Sequence, residues 1–153
     1  MAEASRRAAR PQRKGGLPNA LFVPAAAEAV PQELSGRAHE VMVLFPWGSL
    51  LRGVLGLAGG EAAACGLASL VRPGGRAVAF VSVVHSDGVD GLDGLDGAAM
   101  ERAEGAHAGN GLVLASARPA APDEVRATGS SWARRLGAAG ARRPAWHLEL
   151  EKR

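Results

Sequence analysis

Residues 61–84 constrain the chain most. Apolar side chains recur at helical spacing over residues 61–71, Arg72-Pro73-Gly74-Gly75 stops that run, and residues 76–84 (RAVAFVSVV) read as a buried strand. A helix, a Pro-Gly-Gly stop and a buried strand are the parts of an α/β crossover. Such connections are right-handed, so the strands they join are expected to run parallel. Residues 40–45 (EVMVLF) supply the preceding strand, which runs straight into Pro46-Trp47-Gly48-Ser49 and then a short helical repeat of Leu50, Leu51, Val54 and Leu55.

The rest of the chain extends the same pattern. Residues 2–10 read as a short basic helix ended by Pro11, and Gly15, Gly16 and Pro18 make a turn. Residues 19–26, with Leu21, Phe22 and Val23 at their centre, are expected to form a first strand. Beyond the central strand come a triplet Asp-Gly repeat, a helix near residues 98–108 and a strand over residues 112–117. Short helical turns near residues 123–127 and 131–138 follow. Residues 145–150 alternate like a closing strand, antiparallel and at an edge of the sheet. With 153 residues, one domain and one core are expected. Within it, residues 86–110 are expected to be a flexible, Gly/Asp-rich insertion.

Charge hints at a partner. Basic residues gather at the start (Arg6, Arg7, Arg10, Arg13, Lys14) and near the end (Arg126, Arg134, Arg135, Arg142, Arg143, Lys152, Arg153), while acids collect in the middle. Two basic ends suit a polyanion such as RNA, and they also suit plain solvated surface. The single cysteine, Cys65, excludes an internal disulfide, reads as a buried small residue and points to a reducing cytoplasm. No apolar run reaches the roughly 20 residues of a membrane span.

Several chemistries fail on spacing. Asp87, Asp90, Asp93 and Asp96 recur every third residue, which matches neither calcium loop nor calcium repeat. One cysteine with scattered His39, His85, His107 and His147 gives no zinc set, so no metal is expected, and each histidine reads as a surface or rim residue. Ser49 follows a strand, but FPWGSLL is not a nucleophile elbow. The tryptophans say more. Trp47 sits in a strand-end loop, where open α/β sheets place ligands. Trp132 precedes Arg134 and Arg135, and an aromatic ring beside guanidinium groups is how unstacked bases are held. Trp146, alternating with Leu148 and Leu150, reads as core.

Taken together, NALFVPAAAEAVP, EVMVLFPWGSLLRGVLG, LVRPGGRAVAFVS and TGSSWARRLG resemble the aminoglycoside-resistance methyltransferases that modify adenine N1 in the decoding site of 16S ribosomal RNA. The resemblance covers most of the chain and is poorest over residues 87–109. It implies a class I, Rossmann-like α/β sheet, mostly parallel with an antiparallel C-terminal strand, and S-adenosyl-L-methionine as cofactor. The implied partner is 16S rRNA in the 30S subunit. By the same resemblance Ala27 and Glu28 lie at the adenine end of the cofactor, and Pro46, Trp47 and Ser49 face the methyl group. Trp47 and Trp132 sandwich a flipped adenine, while Arg135, with Arg142 or Arg143, grips RNA backbone.

The chemistry agrees with that assignment. An adenine must leave its stack before N1 can reach a methyl donor, at a cost of a few kcal/mol, and stacking on indole returns about 1 to 3 kcal/mol per base. N1 carries its own lone pair, so no general base is needed, and positioning in a dry pocket supplies the rate. The family also begins with two strands and a Gly-rich cofactor loop that this sequence lacks, so residues 1–153 are expected to be one partial domain missing the first two strands. Weak cofactor binding by this chain alone follows. A non-enzymatic basic module that binds RNA or the ribosome is the alternative from another class, and a decayed product a third.

Overall fold

The computed structural model describes residues 2–17, 19–138 and 140–153. Its elements run α1 (Ala2–Ala8), β1 (Ala38–Leu44), α2 (Gly48–Leu55), α3 (Glu61–Leu70), β2 (Val71–Val81), α4 (Gly97–Ala108), β3 (Leu112–Pro119), α5 (Pro122–Ala127), α6 (Ser131–Leu136) and β4 (Trp146–Lys152). The four strands form one sheet in the order β1-β2-β4-β3. β1 and β2 are parallel, as the crossover reading requires, and β4 runs antiparallel to both of its neighbours.

The two faces of the sheet are covered unequally. On one, Val43, Ala77, Ala79, Val81, Leu148 and Leu150 pack with Leu51, Val54 and Leu55 of α2, Leu67 and Ala68 of α3, and Met100 and Ala103 of α4. Burying a leucine of this kind contributes roughly 1.5 to 3 kcal/mol. On the other, Phe45, Val78 and Phe80 form a smaller cluster with Val125 of α5 and Ala133 of α6. The helices on that second face are only six residues each, so they cover little of it.

Four expectations need correction. Residues 19–26 form no strand: Leu21 is 82% exposed, and the nearest pairing is a single bridge between Ala26 and Ala29. A short apolar run cannot satisfy its backbone groups by itself, and among the described residues no strand lies alongside it. β4 is antiparallel but central, paired on both sides. Its burial still alternates, with Leu148 and Leu150 buried between the less buried His147, Glu149 and Glu151, which in the sequence reads like an edge. Cys65 is exposed, since the buried stripe of α3 falls on Ala63, Ala64, Leu67 and Ala68. His107 is not a rim residue but fully buried, on the stripe of α4 that also carries Ala99, Met100 and Ala103.

One local departure has a clear cause. The Pro-Gly-Gly stop lies inside β2 rather than before it: pairing jumps from Ala38–Val71 to Glu40–Arg76. Proline cannot donate to the ladder and Gly74 holds φ +71°, so the strand bulges there. In residues 86–110 the aspartates have definite jobs. Asp96 caps α4 by accepting from the Ala99 N–H at 2.9 Å, Asp87 accepts from the Val84 N–H at 3.0 Å, and Leu92 between them is buried.

Candidate nucleotide and cofactor site

Both exposed tryptophans lie at one end of the sheet. Trp47 lies three residues beyond Leu44, the carboxyl end of β1. Trp132 lies on the segment joining Pro119, the end of β3, to Trp146, the start of β4. Those two residues pair with each other, and Trp146 also pairs with Val81 at the carboxyl end of β2. Phe45, two residues before Trp47, shares its buried cluster with Ala133, the neighbour of Trp132. The indoles are 39% and 42% exposed, large apolar surfaces that the core leaves uncovered.

The loop that carries Trp47 is built under tension. Phe45 is the one non-glycine residue with positive φ, at 52°, among the described residues. Its N–H donates to the Phe80 carbonyl at 2.7 Å and its ring is buried against Phe80, which together hold a conformation a bulky residue rarely adopts. The turn continues through Gly48 at φ +60° into α2. α6 is fixed differently. Thr128 donates to the Val125 carbonyl at 2.7 Å and accepts from the Ser130 N–H at 3.2 Å, and Ser130 in turn caps α6 through the Ala133 N–H.

Beside this loop an apolar cleft of about 340 Å³ opens along β1, lined by Ala27, Val30, Met42, Pro46, Leu50 and Leu67. Segment 26–30 is pressed onto α3 so closely that a side chain at Gly66 would collide with the Ala27 carbonyl. Glu28 reaches Ser49, whose hydroxyl hydrogen bond holds the carboxyl below its usual range, with Glu28's own backbone helping. Ala27, Glu28, Pro46 and Ser49, distant in sequence, therefore share one place.

The basic residues divide sharply. Arg52, Arg76, Arg118 and Arg143 are each paired with a carboxylate. Arg135 and Arg142 are exposed, and among the described residues neither forms an ion pair. Arg143 instead points inward to Asp87 and the Ser82 carbonyl, where its hydrogen bond holds the Asp87 carboxyl below its ordinary range. That pair joins residues with no shared motif, and neither residue's neighbours in the sequence mark it. No described helix is long and apolar enough to cross a membrane.

Comparison with known proteins fits this geometry. The family model described as NpmA, 16S rRNA (adenine(1408)-N(1))-methyltransferase, matches residues 1–150. An rRNA methyltransferase of Saccharopolyspora hirsuta is 38% identical over 137 residues, covering 86% of this chain and 85% of the relative. A 16S rRNA (adenine(1408)-N(1))-methyltransferase of Streptoalloteichus tenebrarius is 38% identical over 142 residues, and there 89% of this chain spans only 64% of the relative. Among solved structures, the 16S rRNA methyltransferase KamB superposes with a TM-score of 0.83 at 35% identity, over 99% of this chain and 71% of KamB. A mutant of the Catenulisporales acidiphilia enzyme, solved with its cosubstrate SAM, gives 0.79 at 35% identity, over 99% of this chain and 70% of that one. By the family model and the relatives together, this chain belongs to the 16S rRNA (adenine-N1)-methyltransferases, a family of enzymes.

Proposed function

We propose that this chain provides the substrate-gripping part of an S-adenosylmethionine-dependent methyltransferase acting on N1 of a decoding-site adenine in 16S rRNA of the 30S subunit, a modification that gives aminoglycoside resistance. The observation that carries the reading is the pair of exposed indoles, Trp47 and Trp132, at the same carboxyl end of the sheet. They hold the extruded adenine between them, offsetting part of the few kcal/mol that unstacking costs. Arg135 and Arg142 meet the RNA backbone, and Arg143 acts from behind by fixing the segment that bears Arg142.

The cleft fits the flat, apolar end of the cofactor: Ala27 and Pro46 line it, with the Glu28 carboxylate and Ser49 beside it. The cofactor supplies the electrophilic methyl group. Pro46 and Ser49 shape the approach to that group, and the target N1 attacks with its own lone pair, so no residue here need move a proton. No aspartate or histidine at this end is required as a base.

The test uses purified chain, S-adenosylmethionine and 30S subunits. The chain is expected to compete with a full-length relative for 30S subunits and, at saturating S-adenosylmethionine, to give a faint primer-extension stop at one decoding-site adenine. Neither a stop nor competition would contradict the proposal, while competition without a stop would leave a binding module.

A further inference from the structure

The two flanks of α6 face different surroundings. Ala133 points inward, 5% exposed, so Trp132 and Arg134, one residue to either side, project from opposite flanks of the helix at about 100° per residue. On the Arg134 flank lies a separate crevice of about 360 Å³ between α5 and α6, within the usual size of a small-ligand site. The buried side chains of Val125 and Ala133 and the bare backbone of Gly137 and Gly140 line it, with the exposed side chains of Arg126 and Arg134.

Among the described residues these two arginines have no counter-ion. Arg118, by contrast, takes the nearby Glu124 carboxylate with contacts of 2.6 and 2.8 Å. Held by Arg118 and by the Ala121 N–H, that carboxyl is pushed down to about 2, so it stays a filled acceptor throughout the neutral range. Asp123 is the one other carboxylate on α5, exposed and unpaired among the described residues, against the positive charges of Arg126, Arg134, Arg135 and Arg142. The crevice therefore combines an apolar lining with unpaired guanidinium groups: it offers a surface for a base and charge for a phosphate.

We propose that this α5–α6 crevice is a second nucleotide site, which takes an unpaired nucleotide of the substrate RNA a few positions from the target adenine. The base lies over Val125, Ala133 and Gly137, and the phosphate is held by Arg126 and Arg134. The span fits, because the flanks of one helix are about 10 Å apart. The proposal rests on the rRNA reading above and extends it, adding a contact that fixes the register of the RNA while Trp132 holds the reacting base.

Two measurements test it. In the first, the chain is titrated with uridine monophosphate and, separately, with inorganic phosphate, while the methyl resonances of Val125 and Ala133 are followed by NMR. The nucleotide is expected to move both and phosphate alone to move them far less, and R126E/R134E should abolish the shifts. In the second, binding to 30S subunits is measured by fluorescence competition. R126E/R134E should weaken it at least tenfold with an unchanged unfolding midpoint. It should also reduce the slope of log affinity against log salt by roughly 0.7 to 0.9, the share of one phosphate contact. Wild-type chain that fails to bind 30S subunits would overturn the rRNA reading. Wild-type chain that binds 30S subunits while R126E/R134E binds equally well, or resonances unmoved by the nucleotide, would overturn the second site alone.

Discussion

The Arg143 guanidinium grips the Asp87 carboxylate through two hydrogen bonds, one of 2.9 Å, and so ties the segment before β4 to the turn after β2. Both side chains are largely buried, at 16% and 9% exposure, and Arg143 also donates to the Ser82 carbonyl at 3.3 Å. The pair anchors the end of the sheet at which Trp132 and Arg142 are presented.

Removing one partner should therefore cost more than a surface ion pair would. Arg143→Ala leaves a carboxylate uncompensated, and a loss of about 3 kcal/mol is expected in urea unfolding at pH 7. Because the folded-state pKa of Asp87 is depressed, its contribution is fully present above the unfolded value near 4 and fades as pH falls through the folded value. Asp87→Asn should flatten the acid limb of the stability profile over that window.

His107 should titrate with the same sign but in a higher pH window. It is buried, its Nε2 lies 3.1 Å from the Val54 carbonyl, and its Nδ1 has no partner among the described residues. Burial lowers its pKa in the folded state, against the smaller pull of the Val54 bond. Below the unfolded value of about 6.5 the unfolded chain takes up the proton more readily, so stability should fall from pH 7 to pH 5.5. His107→Leu should remove that slope at a cost of about 1 kcal/mol at pH 7.5, read from urea midpoints at the two pH values.

Gly66 links the α3 surface to the proposed cofactor cleft. A Cβ there would stand 1.7 Å from the Ala27 carbonyl oxygen, which is backbone and cannot rotate away. Gly66→Ala should displace the segment bearing Ala27 and Glu28, lower stability by about 1 to 3 kcal/mol and weaken S-adenosylmethionine binding in calorimetry. Equal binding by variant and wild type would detach that segment from the cofactor.

The sheet was legible because its strands announce themselves by composition. EVMVLF and RAVAFVSVV are continuous apolar runs, and every helix from α1 to α6 coincides with a periodic stretch or a capping sequence. Residues 19–26 misled because an apolar run has strand character whether or not a partner strand lies beside it, and pairing is a property of the fold. Cys65 and His107 misled for a related reason: which side of an alanine-rich helix faces inward is decided by what packs on it, and such helices carry little amphipathic contrast. Of the site, the sequence exposed the tryptophans and the PWGS loop. The Glu28–Ser49 contact and the Asp87–Arg143 pair arise only when distant segments fold together.

The convergence of the two indoles is tested most directly by a double-mutant cycle on 30S binding with Trp47→Ala, Trp132→Ala and the double variant. Because both rings are partly exposed, unfolding midpoints should hold within about 0.5 kcal/mol. Each single change should weaken binding by about 1 to 3 kcal/mol, with the double variant losing less than the sum because both rings grip one base. Binding by the double variant at wild-type affinity would contradict a shared grip on an extruded adenine.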